Sequence, residues 1–505
     1  MKSESTLQLK LAAAALFLFL GGCAGVQNSA FWSPEKQTAR APGVFAVLEA
    51  DPAEAEAIEA MGQEADRPVA GEGTQELVAL VDFALARNPD TRRVWEQARA
   101  AAARVGRAES AYFPELGFGV EAGYERFWFE NDPAPLLIDQ WEVLPQAALT
   151  WTLLDFGRRG NALDAARQRL RVANLLSNRE IQNVVFAVES AYFSLDAAHA
   201  MVAAAEQNLS RAVSVAEAAE ERRELGLATR PDALLARQAQ AKAVYDVENA
   251  RVLVSDAQAD LAMALGVEAN RPISIRRLAE LPLPESLEAD VDSFIDAALA
   301  QRPDLLARLA DVRVREAAAR EARAELLPEV YADAGWGQDI WWYRFNGPPT
   351  EDLNEPSWRA LLGFRWSLFE GFDRLNAIRE ADAEHDAARA ELESARLDTI
   401  AAVWRVYHDF RAARKKWEYS EALLAASTEA WESNSESYGL GLVTIVELLT
   451  AERDLAEALY VQIEARADLL TTAAEMVWVV GDLSSSAGRR KAGQEPAQSL
   501  TVVDD

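Results

Sequence analysis

Hydrophobic and polar positions follow two different periods along this chain, and the periods take turns. From Asn161 to Leu225 there is neither Pro nor Gly, and Ile181, Val184, Val188, Ala191, Leu195 and Ala198 recur at spacings of three and four. That spacing is the seam of a coiled-coil helix, and at 1.5 Å per residue the stretch reaches roughly 100 Å. The chain reverses at Gly226-Leu227-Ala228-Thr229 and returns to about 266, with Pro231 in the first helical turn, where its missing N–H is tolerated. A second such pattern spans about 376–481, reversing at Gly441-Leu442-Val443-Thr444. Ahead of each long helix the period drops to two. Leu116, Phe118, Val120, Ala122 and Tyr124 alternate with Gly117, Gly119, Glu121, Gly123 and Glu125. The predicted strands are about 115–126 and 140–154, the latter interrupted by Pro145, and about 329–342 and 357–369.

The recurrence is a duplication. Asn88-Pro89-Asp90 returns as Arg302-Pro303-Asp304, Pro114 as Pro328, and Phe127-Trp128-Phe129 as Trp341-Trp342-Tyr343, all at an offset of 214. From there on the offset is 215: Trp151 falls on Trp366, Tyr192 on Tyr407, and Asp232 on Glu447. Two copies are expected, 77–283 and 291–483, each a helix, two strands and a long helical hairpin.

Strands of about ten residues, apolar on one face and polar on the other with aromatics near their ends, are the pattern of a membrane β-barrel. A half-buried soluble sheet alternates as well. The amino terminus favours the membrane. Lys2 and Lys10 precede an apolar run, Leu11 to Leu20, followed by Gly21-Gly22-Cys23, the layout of a secretory signal. Residues 1–22 are read as the signal peptide, and Cys23, which follows a segment resembling the bacterial lipobox, as the lipidation site. Residues 23–76 are an acidic, extended segment, with nine acids against Arg67 between Glu49 and Glu76. The tail 484–505 is expected to be disordered. Four strands per chain cannot close a barrel, and open edges are not tolerated in lipid, so several chains must share one; three would give twelve strands.

Charge and rare residues narrow the chemistry. Lys and Arg number 51 against 81 Asp and Glu, a net charge of −30, which argues against nucleic acid as a partner. One cysteine and three histidines (His199, His385, His408) leave no disulfide framework and no expected metal site or cofactor. There is no GxxxxGK[ST] and no HExxH, so the chain is not expected to be an enzyme.

The motifs resemble those of the TolC-like outer-membrane efflux proteins. The carriers are Ala111-Tyr112-Phe113-Pro114 and Glu325-Leu326-Leu327-Pro328 before the strands, and Trp151-Thr152-Leu153-Leu154-Asp155-Phe156-Gly157-Arg158 with Trp366-Ser367-Leu368-Phe369-Glu370-Gly371 after them. The turns Leu225-Gly226-Leu227-Ala228-Thr229 and Tyr438-Gly439-Leu440-Gly441-Leu442-Val443-Thr444 complete the set. The resemblance implies a mixed α and β membrane protein, a long α-helical coiled-coil barrel joined to a transmembrane β-barrel. It implies a homotrimer in the outer membrane of a Gram-negative bacterium, extending into the periplasm, anchored by lipid and serving as a passive exit duct for efflux or secretion. Its partners would be a periplasmic adaptor (membrane fusion) protein and an inner-membrane pump. By position Asp232 and Tyr438 match a gating pair of carboxylate and phenol, and Glu447 matches the first acid of a constriction ring. The second acid of that ring is Thr450 here, and the family's gate arginine falls at Val443. Gly226, Leu227, Thr229, Gly441, Leu442 and Thr444 are the positions expected to dock the adaptor. The rival reading is a lipid-anchored periplasmic coiled-coil scaffold without a pore.

Overall fold

The computed structural model describes residues 74–130, 135–271, 273–277, 283, 290–347 and 350–482, all within the compact unit Val69–Asp505. The expected signal peptide, Cys23, the acidic segment up to 73 and the tail lie outside the described residues. The order of elements runs twice. Helices α1 (Leu77–Arg87) and α2 (Pro89–Ser110) lead into strands β1 (Glu115–Phe129) and β2 (Leu136–Leu154), then the hairpin α3 (Arg158–Glu224) and α4 (Arg230–Leu265). Then α5 (Val291–Gln301) and α6 (Pro303–Ala324) lead into β3 (Glu329–Phe345) and β4 (Thr350–Arg365), followed by α7 (Asp373–Gly439) and α8 (Ile445–Val480). The two long helices have 67 residues each and the two returning helices 36 each.

Each hairpin packs along the seam that its periodicity marks. Val184, Val188, Ala191, Leu195 and Ala198 are buried on α3, whereas Ile181 is half-buried and its neighbour Gln182 is buried in its place. Alanines at Ala236, Ala243, Ala250 and Ala257 form the matching face of α4, so the backbones approach closely. α1 closes one core with Leu80 and Val81 against Tyr192, Leu195, Leu261 and Leu265. α5 closes the equivalent core against Val403, Tyr407 and Val479.

The returning helices end in glycine at the same place in each copy. Gly266 (φ +71) and Gly481 (φ +84) are left-handed, where a side chain is strained. A Cβ on Gly266 would lie 2.7 Å from Pro89 Cδ and 3.0 Å from Asn88 Cα; one on Gly481 would lie 3.0 Å from Arg302 Cα. The hairpins therefore seat directly on the breaks between α1 and α2 and between α5 and α6. Around Gly481 the contact is polar and buried. Arg179 donates to Gln182 Oε1 (3.0 Å) and to the Trp478 carbonyl (2.9 Å), with its guanidinium 4.2 Å from the centre of the Trp478 ring. Gln182 Nε2 donates to the Gly481 carbonyl at 2.7 Å. Burial lowers the Arg179 pKa to about 10, partly opposed by Asp304.

The four strands form one antiparallel sheet in the order β1-β2-β3-β4. The register places Leu116, Phe118 and Val120 with Ala147, Leu149, Ala334, Trp336, Trp358, Ala360, Leu362 and Phe364 on one face. The other face carries Glu115, Glu121, Glu125, Glu142, Glu329, Asp333, Asp339, Glu351 and Glu355, with Arg359 and Arg365 as its cations. On the apolar face Leu116 is 75 % exposed, Leu362 74 % and Trp358 80 %, so no other part of the described chain covers it.

The strands differ from expectation at their ends and at a proline. Pairing runs on to Phe129–Leu136 and Arg344–Thr350, because the ladder binds residues whose composition suggested loop. β4 stops at Arg365, leaving Trp366 and Leu368 outside, since its partner strand begins at Glu329 after Pro328, which has no N–H to give. β2 continues through Pro145 and stays paired to β1, while its register with β3 skips Leu144 and Pro145. A bulge between Thr152 and Leu154 puts Leu154 opposite Val330. At Gly363 a Cβ would overlap the ring of Tyr331 directly opposite, so the glycine makes room for that aromatic. No described helix is long and apolar enough to cross a membrane.

Candidate functional site at the hairpin tips

The two reversals are built alike from their sequences. Gly226 (φ +73) and Gly441 (φ +76) take the left-handed conformation that ends a helix. Leu227 N donates to the Arg222 carbonyl (2.7 Å) and Gly226 N to that of Arg223 (3.0 Å); Leu442 N donates to the Ser437 carbonyl (2.9 Å) and Gly441 N to that of Tyr438 (3.0 Å). These are matching Schellman turns. Each returning helix then opens with a capping box. The Asp232 carboxylate accepts from Thr229 N (2.9 Å) and Thr229 Oγ1 (2.7 Å), and that of Glu447 accepts from Thr444 N (2.7 Å) and Thr444 Oγ1 (2.9 Å). Those hydrogen bonds hold both carboxyls below their ordinary range: the Thr229 hydroxyl and then its amide for Asp232, the Thr444 amide and then its hydroxyl for Glu447.

Between the capping boxes the hairpins touch. Ala216, Ala219 and Ala236 of the first pack on Ile445 and Leu448 of the second, with Val215, Tyr438 and Leu449 at the edge. Over this small core Arg222, near the end of α3, donates to the Tyr438 carbonyl, and its guanidinium lies 4.6 Å from the centre of the Tyr438 ring. Its Nη2 is 3.5 Å from where a Cβ of Gly441 would be, so the turn glycine admits the arginine. Burial raises the Tyr438 phenol pKa; Arg222 opposes the rise and Asp232 adds to it.

Asp232 and Tyr438 thus lie in the same tip region, but no hydrogen bond joins them. The carboxylate is turned into its own helix cap, and the tyrosine is held through its ring and carbonyl by Arg222. Val443 is half-buried and Thr450 is exposed. Leu225, Leu227, Leu440 and Leu442 project outward, between 67 % and 74 % exposed.

Sequence reasoning missed Arg222, which stands in a Glu-Arg-Arg-Glu run that reads as a solvated helix end. It also missed a buried charge higher in the bundle. Glu452 is 4 % exposed with both carboxylate oxygens unpartnered; burial raises its pKa against the pull of Arg211. Only two residues from Thr450, it faces into the packing between α8 and α3 rather than outward. Among the described residues no group of three or more His, Cys, Asp or Glu could hold a metal ion.

The profile of the outer membrane efflux protein family matches the chain twice, over residues 80–267 and 294–482. The chain belongs to the outer membrane efflux proteins. Relatives of this family include protein CyaE of Bordetella pertussis, 30 % identical over 414 residues, covering 81 % of this chain and 85 % of that one. The pyoverdine export outer membrane protein OpmQ of Pseudomonas putida is 23 % identical over 393 residues, covering 76 % and 81 %. Among solved structures, the outer-membrane channel OprN superposes with a TM-score of 0.66 at 20 % identity, over 83 % of this chain and 91 % of that one. CusC superposes with a TM-score of 0.68 at 18 % identity, over 80 % and 92 %. As an outer membrane efflux protein the chain is an exit duct for efflux or secretion in the outer membrane of a Gram-negative bacterium, and not an enzyme.

Proposed function

We propose that three copies of the chain close one twelve-stranded barrel in the outer membrane and continue as a helical tube into the periplasm. The observation that carries this reading is the four-stranded sheet with its two outer edges, β1 and β4, unpaired among the described residues. One face is apolar and uncovered, and the other is acidic. Lipid demands that such edges be closed, and pairing β4 of one copy with β1 of the next closes them while keeping apolar side chains outward and carboxylates inward. Cys23 carries lipid and anchors the mature chain.

At the periplasmic end the tips form the gate and the docking surface. Tyr438, clamped by Arg222, ties the second hairpin to the first, and Asp232 and Glu447 place carboxylates beside the closure. Gly226, Leu227 and Thr229 with Gly441, Leu442 and Thr444 present paired leucines around rigid turns to the periplasmic adaptor, behind which an inner-membrane pump supplies the energy.

Particle averaging of the mature protein in detergent tests the assembly. Threefold particles with a barrel cap and a helical tube are expected; slender monomers or dimers without a barrel would leave a pore-free scaffold instead. Mass analysis of the amino-terminal peptide, compared with Cys23→Ser, tests the anchor.

A further inference from the structure

The face of the sheet that bears Leu116 and Leu362 is apolar along most of its height and then changes character. Among the described strand residues its only charges are Arg126, Asp139, Arg344 and Asp352. All four stand at the end remote from the helices, where β1 is joined to β2 and β3 to β4. The register sets three of them in one row across the sheet, since Arg126 lies opposite Asp139 and Asp139 opposite Arg344. The next row toward the helices is aromatic: Tyr124, Trp141 and Trp342, with Asp352 at its end. The Tyr124 and Trp141 rings are 4.7 Å apart.

Height places this row at a membrane surface. Arg126 and Arg344 each lie about ten residues along their strands from the row of Leu116, Leu149 and Ala334. At 3.4 Å per residue and a strand tilt of about 40° that is about 26 Å, against an apolar band about 25 Å tall in membrane barrels. A charge on the lipid face is costly at the midplane and nearly free at the interface, so the row marks the headgroup level of the leaflet away from the periplasm. At the opposite end the same face presents Trp151, Val330 and Phe364, with no charge. Within the row the acid is already engaged. Asp139 Oδ1 accepts from Tyr124 Oη (2.6 Å) and from Arg126 Nε (2.5 Å). The Arg126 side chain is still 58 % exposed, and Arg344 is exposed and joins no ion pair among the described residues.

We infer that Arg126 and Arg344 bind the phosphates of the outer-leaflet glycolipid, lipopolysaccharide, over an aromatic shelf of Tyr124, Trp141 and Trp342. Guanidinium groups pair with phosphate through two parallel hydrogen bonds, and Trp and Tyr settle at the boundary between headgroups and acyl chains. The two arginines are two strands apart, about 10 Å, with Asp139 between them. A single phosphate shared by both would meet that carboxylate, whereas a headgroup with more than one phosphate spans the row. Pairing of strand edges between copies uses backbone groups and leaves these side chains outward. The inference rests on the barrel reading above and adds the lipid that the barrel holds at its outer rim.

Lipid titration tests it on the full-length protein, extracted in mild detergent and stripped of lipid. Lipopolysaccharide is expected to bind, read by native mass and by a rise in melting temperature. Dephosphorylated lipopolysaccharide, phosphatidylglycerol vesicles and inorganic phosphate are expected to do neither. Arg126→Gln and Arg344→Gln should each weaken binding about tenfold, the loss of one charge-assisted hydrogen bond. Each is a single exposed substitution, and strand content by circular dichroism confirms that the variant has folded. Asp352→Asn, at the acid diagonal to Arg344, should not weaken binding; a loss there would mean that a cation bridged to Asp352 holds the phosphate, against the inference. Equal stabilisation by phosphatidylglycerol or inorganic phosphate overturns the glycolipid, and folded arginine variants that bind like the wild type overturn the site, with the barrel left standing. Wild-type protein that leaves the membrane without detergent and binds no lipid of any kind would bring down the barrel reading, and this site with it.

Discussion

Arg222 is the residue whose removal should tell most about how the tips are held. Its guanidinium sits 4.6 Å over the Tyr438 ring and its Nη1 donates to the Tyr438 carbonyl. A half-exposed cation–π contact together with one charge-assisted hydrogen bond contributes about 2 kcal/mol. Arg222→Ala is therefore expected to shift the closed-to-open ratio of a tip by roughly 30-fold, since 1.4 kcal/mol is a factor of ten. Single-channel recording in planar bilayers reads this as higher open probability or conductance. Tyr438→Phe discriminates, because it keeps both the ring and the carbonyl and removes only the hydroxyl, which Arg222 does not use. It should behave like the wild type, while Tyr438→Ala should open like Arg222→Ala. If Tyr438→Phe opens the channel and Arg222→Ala does not, the tip is held through the phenol, as in the carboxylate–phenol pair that sequence resemblance implied, and the reasoning from this geometry is wrong.

Gly266→Ala combines a left-handed backbone with a clash against Asn88 and Pro89, so a loss of about 2 kcal/mol or more is expected; an unchanged melting temperature would contradict the close seating. Arg179→Met removes the cation that donates to Gln182 and the Trp478 carbonyl and should cost about 1.5 kcal/mol, the order of a hydrogen bond from a charged group, since Asp304 stays paired with Arg302; earlier thermal loss of helicity reads it. Glu452 keeps its proton to higher pH when folded than when unfolded, because burial raises its pKa. Between those two pKa values the folded state holds the extra proton, so stability falls as pH rises through them. Glu452→Gln should flatten that slope in melts across the acidic-to-neutral range, and an unchanged slope would reject the assignment. The acid-rich face of the sheet, whose carboxylates outnumber Arg359 and Arg365 on the strands and Arg158 of α3, which reaches Glu329, should make the pore cation-preferring; a reversal potential of the anion-selective sign in a salt gradient would refute it.

Much of the fold was legible because it depends on near-neighbour pattern. An uninterrupted run without Pro or Gly marks α3, and strict alternation places Leu116 and Glu121 on opposite faces. What was not legible depends on partners distant in the chain. Pro145 reads as a break by its own chemistry, yet β1 and β3 hold the strand in place on either side of it. Trp366 continues the alternation of β4, but the ladder ends because Pro328 lies at the end of the neighbouring strand. The site was less legible than the fold. Thr229 and Asp232 sit three residues apart, so a capping role was available locally. Arg222 and Tyr438 lie 216 positions apart, and nothing in the residues around either one points to the other.

The matched lengths of the helices, 67 with 67 and 36 with 36, make the chain a ruler graduated in helical turns. Adding two turns to α3 alone would leave α4 about 10 Å short of its seat on Asn88 and Pro89 and one tip about 10 Å proud of the other. Lengthening the duct to span a wider gap needs four insertions of seven residues, at one level in α3, α4, α7 and α8. Reach is thus set in quanta, and a lineage or an engineer can change it only by editing both halves of the chain in step.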